Sequence, residues 1–167
     1  MNSTFATRLH ARSVPGRPRV VGLDPRLDWL PSEILATARR EHSDPQAIAA
    51  AAFEEFCVRI IDVVAPLVPA VKPQAAFFEE YGPDGCLALA RVMRYARGRA
   101  HCHCRCQTRR HWNDRGSVCP RYLAGADPQA APWCADALTV NPYLGSDTLE
   151  PFVKVAQGLP ARAFTCS

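Results

Sequence analysis

Lysine is nearly absent from this sequence: of twenty basic residues only Lys72 and Lys154 are lysines, and the rest are arginines. A lysine that is kept in such a chain invites a chemical reason. No stretch approaches the roughly 20 apolar residues that a membrane helix needs, so a helical membrane protein is excluded. The N-terminal stretch carries Arg8 and Arg12 without an apolar h-region, which excludes a secretory signal there and makes the expected location cytoplasmic. Internal repeats and low-complexity segments are missing too, and with them the case for a solenoid or a disordered chain. What is present is ordinary globular composition: 167 residues, 48% hydrophobic and 22% charged, enough for a single domain with its own core.

The net charge of +4 is unevenly placed. Residues 97–121 hold seven arginines against one acid, Asp114, with four of the eight cysteines and three of the five histidines. Outside that window the balance is 13 basic to 15 acidic residues. Residues 99–121 are therefore an aberrant Cys/His/Arg-rich segment within one domain spanning 1–167.

Along the rest of the chain, helix and strand signals alternate. Residues 3–12 read as an amphipathic helix capped by Ser3 or Thr4, with Phe5, Ala6 and Leu9 on one face. Val20–Leu23 reads as a buried strand that stops at Asp24-Pro25. Asp44 and Pro45 start the strongest helix, 45–65, and Pro66 and Pro69 end it. A second strand, Ala70-Val71-Lys72, is followed by a polar-aromatic loop and a helix over 84–96. A strand over 135–140 ends at Asn141-Pro142, and helix resumes over 147–155. Such alternation argues for a parallel α/β sheet. Asp24, Lys72 and Asn141 all fall at carboxyl ends of strands, the face where an α/β barrel places its chemistry. Taken singly, each has a plainer reading: a solvated lysine, or Asp-Pro and Asn-Pro turns.

The strings VVGLDPRLDWLP, AVKPQAAFFEEYGPDG and ADALTVNPYLGSDTLEPF resemble the orotidine 5′-phosphate decarboxylase family, in its longer-chain bacterial subfamily. The resemblance covers about residues 1–98 and 122–156. It implies a (β/α)8 barrel that converts orotidine 5′-phosphate to uridine 5′-phosphate, in de novo pyrimidine biosynthesis, with no metal or organic cofactor. It also implies a homodimer whose partner molecule is the nucleotide, not a nucleic acid or a membrane. Asp24 matches the ribose-binding aspartate, and Lys72 matches the first lysine of a Lys-Asp-Lys-Asp catalytic network. Thr139 and Asn141 match pocket-lining positions at the end of the fourth strand. The family's Asp-x-Lys-x-x-Asp string should fall between Arg97 and Tyr122, where the aberrant segment stands.

The codons that encode residues 104–114, begun one base later, permit Ala-Asp-Ala-Lys-Arg-Gly-Asp-Ile-Gly-Thr. The segment is accordingly expected to be a stretch read out of frame between two compensating single-base changes. The chain is expected to present about the first four βα units of the barrel, with the third strand region garbled, and to be inactive as written. A small metal- or nucleic-acid-binding module built on the segment is the competing reading. Against it, His101, Cys102, His103, Cys104 and Cys106 lack the paired two-to-four-residue spacing of structural zinc sites. A phosphosugar-binding barrel of other chemistry is a third reading.

Overall fold

The computed structural model describes residues 4–13, 20–97, 99, 101–104, 133, 135–140, 145–146, 149–158 and 163–166. Five strands form one parallel sheet in chain order: β1 (Val20–Leu23), β2 (Ala70–Pro73), β3 (His101–Cys104), β4 (Ala137–Val140) and β5 (Ala163–Cys166). Helices flank β1, β2 and β4 among the described residues. α1 (Phe5–Arg12) precedes β1, and a short 3-10 turn (Leu27–Trp29), α2 (Ser32–Glu41) and α3 (Pro45–Val64) follow it. α4 (Ala75–Glu79) and α5 (Gly82–Ala96) lie between β2 and β3, and α6 (Glu150–Gly158) lies between β4 and β5. Sequential parallel strands with helical crossovers are the arrangement of a partial (β/α)8 barrel. Among the described residues, β1, β2 and β4 are each followed by helix, and β3 and β5 complete the five strands.

The strongest sequence signal gives the best-defined helix. Asp44 accepts hydrogen bonds from the backbone N–H groups of Gln46 and Ala47 at 3.0 and 2.9 Å, and Pro45 sits in the first turn. Ala49, Ala52, Phe53, Cys57 and Ile61 then recur on one buried face of α3. All but Ala49 meet Leu23 and Val71 from the sheet and Leu89, Val92 and Met93 from α5 in the main core. Phe53 packs edge-on against Phe78 and Tyr81, with ring centroids 5.7 and 5.2 Å apart.

Thr4 caps α1 by accepting from the Thr7 N–H. Phe5 is buried, but Ala6 is exposed, because it stands about 100° around the helix from Phe5. Arg8 reaches Asp136 at the entrance of β4, and Arg12 donates to the Arg99 carbonyl. α1 thus ties the amino-terminal ends of β3 and β4 together.

Four elements depart from the sequence reading. α2 and β5 were not expected, and the loop expected after β2 contains α4. The fourth differs in kind: His101–Cys104, inside the aberrant segment, forms β3 and pairs in parallel with both β2 and β4. Strand pairing runs through main-chain groups, so an unusual side-chain set does not prevent it. Residue 100 and residues 105–121 of that segment lie outside the described residues, as does the reading made for them. Among the described residues no helix is long and apolar enough to cross a membrane.

Candidate functional site at the carboxyl ends of the strands

Strand register decides which residues can share a site. Gly22 pairs with Lys72 and Leu23 with Pro73. Ala70 pairs with His101, and His103 pairs with Ala137. Alternation along each strand then places Gly22, Lys72 and Thr139 on one face of the sheet. Leu23, Val71 and Leu138 occupy the other. Leu23 and Val71 belong to the core shared with the helices, so the face of Lys72 is the inner one. Asp24, one step beyond β1, continues the inner series.

Three of the four expected site residues can be placed. Asp24 is exposed and follows directly on β1. Lys72 is half-buried within β2, one strand away. Thr139 is buried within β4 on the same face. Asn141, the fourth, lies outside the described residues. β3 separates β2 from β4, so Thr139 stands two strands from Lys72 across the hollow.

Two positions that the sequence reading did not single out shape this site. The first is Gly22. A Cβ built there would stand 3.2 Å from Asp24 Oδ2, so the carboxylate leans back over bare backbone at the level of Lys72. Glycine removes the one atom that would hold it off. The second is Gln74, immediately beyond β2. Its backbone N–H donates to the Leu23 carbonyl at 3.2 Å, extending the β1–β2 ladder by one bond. Only the Gly-Leu-Asp and Lys-Pro-Gln spacings, read together with the register, could have exposed this pair.

Pro25 is fully buried behind Asp24 and fixes the chain's exit from β1. The 3-10 turn that follows puts Arg26 over the Trp29 ring, 4.8 Å from its centroid, at the rim. On the helical side, burial pushes the Cys57 thiol up to about 12, with the Asp24 carboxylate as the second cause. The Asp24 charge is thus felt through the β1 layer. An outward groove of about 400 Å³ between α2, α3 and α5 is lined by His42, Glu54 and Arg91 among others, and by none of the strand-end residues.

The arrangement sets an anionic acceptor and an ammonium side by side at the end of a parallel sheet, with a hydroxyl across from them. Such a set can bind a ligand that carries both hydroxyl donors and negative charge. Among the described residues no cluster of three or more metal-ligating side chains is found.

No family model matches the chain. Orotidine 5′-phosphate decarboxylase of Rhodopirellula baltica is 45% identical over 166 residues, covering 96% of this chain and 53% of the relative. The enzyme of that name from a Nocardioides species is 33% identical over 153 residues, covering 92% and 51%. The OMP decarboxylase structure of Leishmania donovani superimposes with a TM-score of 0.69 at 27% identity, over 98% of this chain and 52% of that one. The UMP synthase structure of the same organism gives 0.72 at 26% identity, over 99% and 30%. The chain spans about half the length of the curated relatives it matches. Sequence identity along nearly the whole chain and the superposition on solved structures agree, and the chain belongs to the orotidine 5′-phosphate decarboxylase family.

Proposed function

We propose that this chain carries the nucleotide-facing residues of an orotidine 5′-phosphate decarboxylase. Asp24, Thr139 and Asn141 contact the substrate, and Lys72 supplies positive charge beside it. The observation that carries this reading is the Gly22–Lys72 pairing, which sets the Asp24 carboxylate and the Lys72 ammonium on neighbouring strands of one inner face.

Loss of carbon dioxide from orotidine 5′-phosphate leaves an electron pair on the pyrimidine ring carbon. A cation held near that carbon stabilises the charge, and a proton must then be delivered to it. An ammonium can do both. The lysine that would deliver the proton belongs to the string this chain lacks, so Lys72 contributes charge from the same network, with Asp24 holding the sugar by accepting from its hydroxyls. The family's Asp-x-Lys-x-x-Asp string has no counterpart among residues 97–122. We read that segment as out-of-frame sequence and the whole as a single incomplete barrel domain. The chain as written therefore binds nucleotide without turning it over. The intact enzyme is a cytoplasmic homodimer in this reading.

Titration calorimetry with uridine 5′-phosphate tests the site. The chain is expected to bind it saturably, and Lys72→Ala to weaken binding about tenfold or more, the loss of a charge-assisted hydrogen bond. Equal affinity in the variant would remove Lys72 from the site. An assay of purified protein for orotidine 5′-phosphate turnover is expected to read background, and a rate near that of an intact enzyme would refute the inactive-copy reading. The nucleotide sequence across codons 95–125 settles the frame, since an uninterrupted frame without compensating changes would exclude it.

A further inference from the structure

The sheet is not evenly laced. β1 and β2 share four register pairs, and so do β4 and β5. β3 joins these two ribbons with two pairs on each side: His101 and Cys102 match β2, and His103 and Cys104 match β4. Fewer main-chain bonds make β3 the joint along which the sheet yields first. The joint also divides the proposed site. Asp24 follows β1 and Lys72 lies in β2, whereas Thr139 lies in β4. How Thr139 faces the other two is therefore set at β3 and by neither four-pair ladder.

α1 crosses this joint at the amino-terminal end of the sheet. Phe5 is buried and anchors the first turn of the helix. Arg12 Nη1 donates to the Arg99 carbonyl at 3.1 Å, two residues ahead of β3. Arg8 Nη2 lies 3.5 Å from Asp136 Oδ1, one residue ahead of β4, and the Asp136 side chain is only 10% exposed. A pair so shielded is little screened by salt. Arg8 and Arg12 stand four residues apart, about one turn, so one face of one helix holds both strand entrances.

We infer that α1 is a clasp across the β3–β4 seam, and that Arg8, acting through Asp136, is a positioning residue that sets Thr139 against Asp24 and Lys72. This rests on the proposed nucleotide site and places a control over it at the opposite end of the sheet. The test titrates uridine 5′-phosphate into the full chain and its variants, and follows amide exchange in β1 and β4 of each without nucleotide. Arg8→Met with Asp136→Asn removes the ion pair and leaves no buried charge unpaired. This double variant weakens binding about tenfold, within the range for groups coupled through one network, and quickens exchange in β4 while β1 keeps the parent's rate. Arg8→Lys keeps the pair and keeps the parent's affinity. Arg12→Met, a change at an exposed side chain, moves both readouts the same way by less, and it decides the matter if the double variant fails to fold. Parent affinity in both the double variant and Arg12→Met would overturn the inference alone. Exchange that quickens equally in β1 and β4 would also overturn it, since that is general loss of stability. Absence of saturable nucleotide binding by the parent would overturn the site reading and this inference with it.

Discussion

Cys57 has no exposed surface, and its thiol is pushed up from its ordinary value of 9.0 to about 12, first by burial and second by the Asp24 carboxylate. A group whose folded value is raised adds stability that is fully present below its unfolded value and is lost as pH climbs toward the folded one. Between pH 9 and 12 the unfolded thiol ionises while the folded one stays neutral, so stability falls by about 1.4 kcal/mol per pH unit from this group. Tyr81 is raised chiefly by burial and Tyr95 chiefly by its hydrogen bond to Asp62, so both slope the same way. The comparison that isolates Cys57 is urea unfolding of the parent and Cys57→Ala at pH 8 and pH 10. The parent should lose more stability across that interval than the variant, and equal losses would show that the thiol ionises freely in the fold. Gly22 offers a second residue-scale test. Gly22→Ala places a methyl 3.2 Å from Asp24 Oδ2, and the carboxylate must give way by a few tenths of an ångström. The variant should fold with the parent's melting temperature to within a few degrees while uridine 5′-phosphate binding weakens several-fold. A large drop in melting temperature would mean that the crowding falls on backbone and not on Asp24.

At the scale of elements, what could be read in the sequence divides by how local the cause is. α3 was legible because its start is written in two adjacent residues, Asp44 and Pro45, and its apolar face in the spacing that follows. β1 and β2 were legible as short apolar runs closed by Asp-Pro and Lys-Pro. α2 was hidden because Pro31 caps it without a side-chain hydrogen bond, leaving only Ile34 and Ala38 as a thin buried stripe. β3 had no local signal: His101–Cys104 is a strand because β2 and β4 flank it, a cause remote in sequence. The α4–α5 corner also depends on contacts that no window of sequence displays. Gly82 turns the chain with φ near +59°, and a Cβ at Gly85 would fall 1.9 Å from the Phe78 carbonyl oxygen. The obstacle is backbone, which a side-chain rotation cannot relieve. Gly85→Ala should therefore cost roughly 3 kcal/mol or more by chemical denaturation, an unusually large effect for adding one methyl group. Asp44→Ala should cost only about 1 kcal/mol, the ordinary worth of a helix cap. Equal effects from the two variants would contradict the packing of α4 against α5.

For the molecule as a whole, the unequal sharing of the core predicts an unequal stability. The main cluster draws on β1, β2, α2, α3, α4 and α5, with Ala135 joining from beyond residue 97 and Trp133 packed against it. The same half holds cross-links at its amino-terminal rim. Tyr95 donates to Asp62 at 2.6 Å, Arg99 lies 3.8 Å from the same carboxylate, and the Arg99 guanidinium sits over the Tyr95 ring. α6 has a single fully described buried side chain of size, Phe152, and its ion pair between Lys154 and Glu150 is exposed and worth little. The resemblance pointed to the barrel, and the register puts Gly22, Lys72 and Thr139 on one face; neither spoke to how firmly each unit is held. Local opening free energy follows buried apolar contact, so the units should exchange their amides at different rates. Hydrogen–deuterium exchange followed by mass spectrometry should find the slowest amides in α3, β2 and α5. Those of α6 should exchange orders of magnitude faster, and β5, whose one neighbour among the described strands is β4, should follow α6. Uniform slow exchange from β1 through β5 would mean that the sheet unfolds as one cooperative unit, with the main-chain ladder and not the helical core setting its stability.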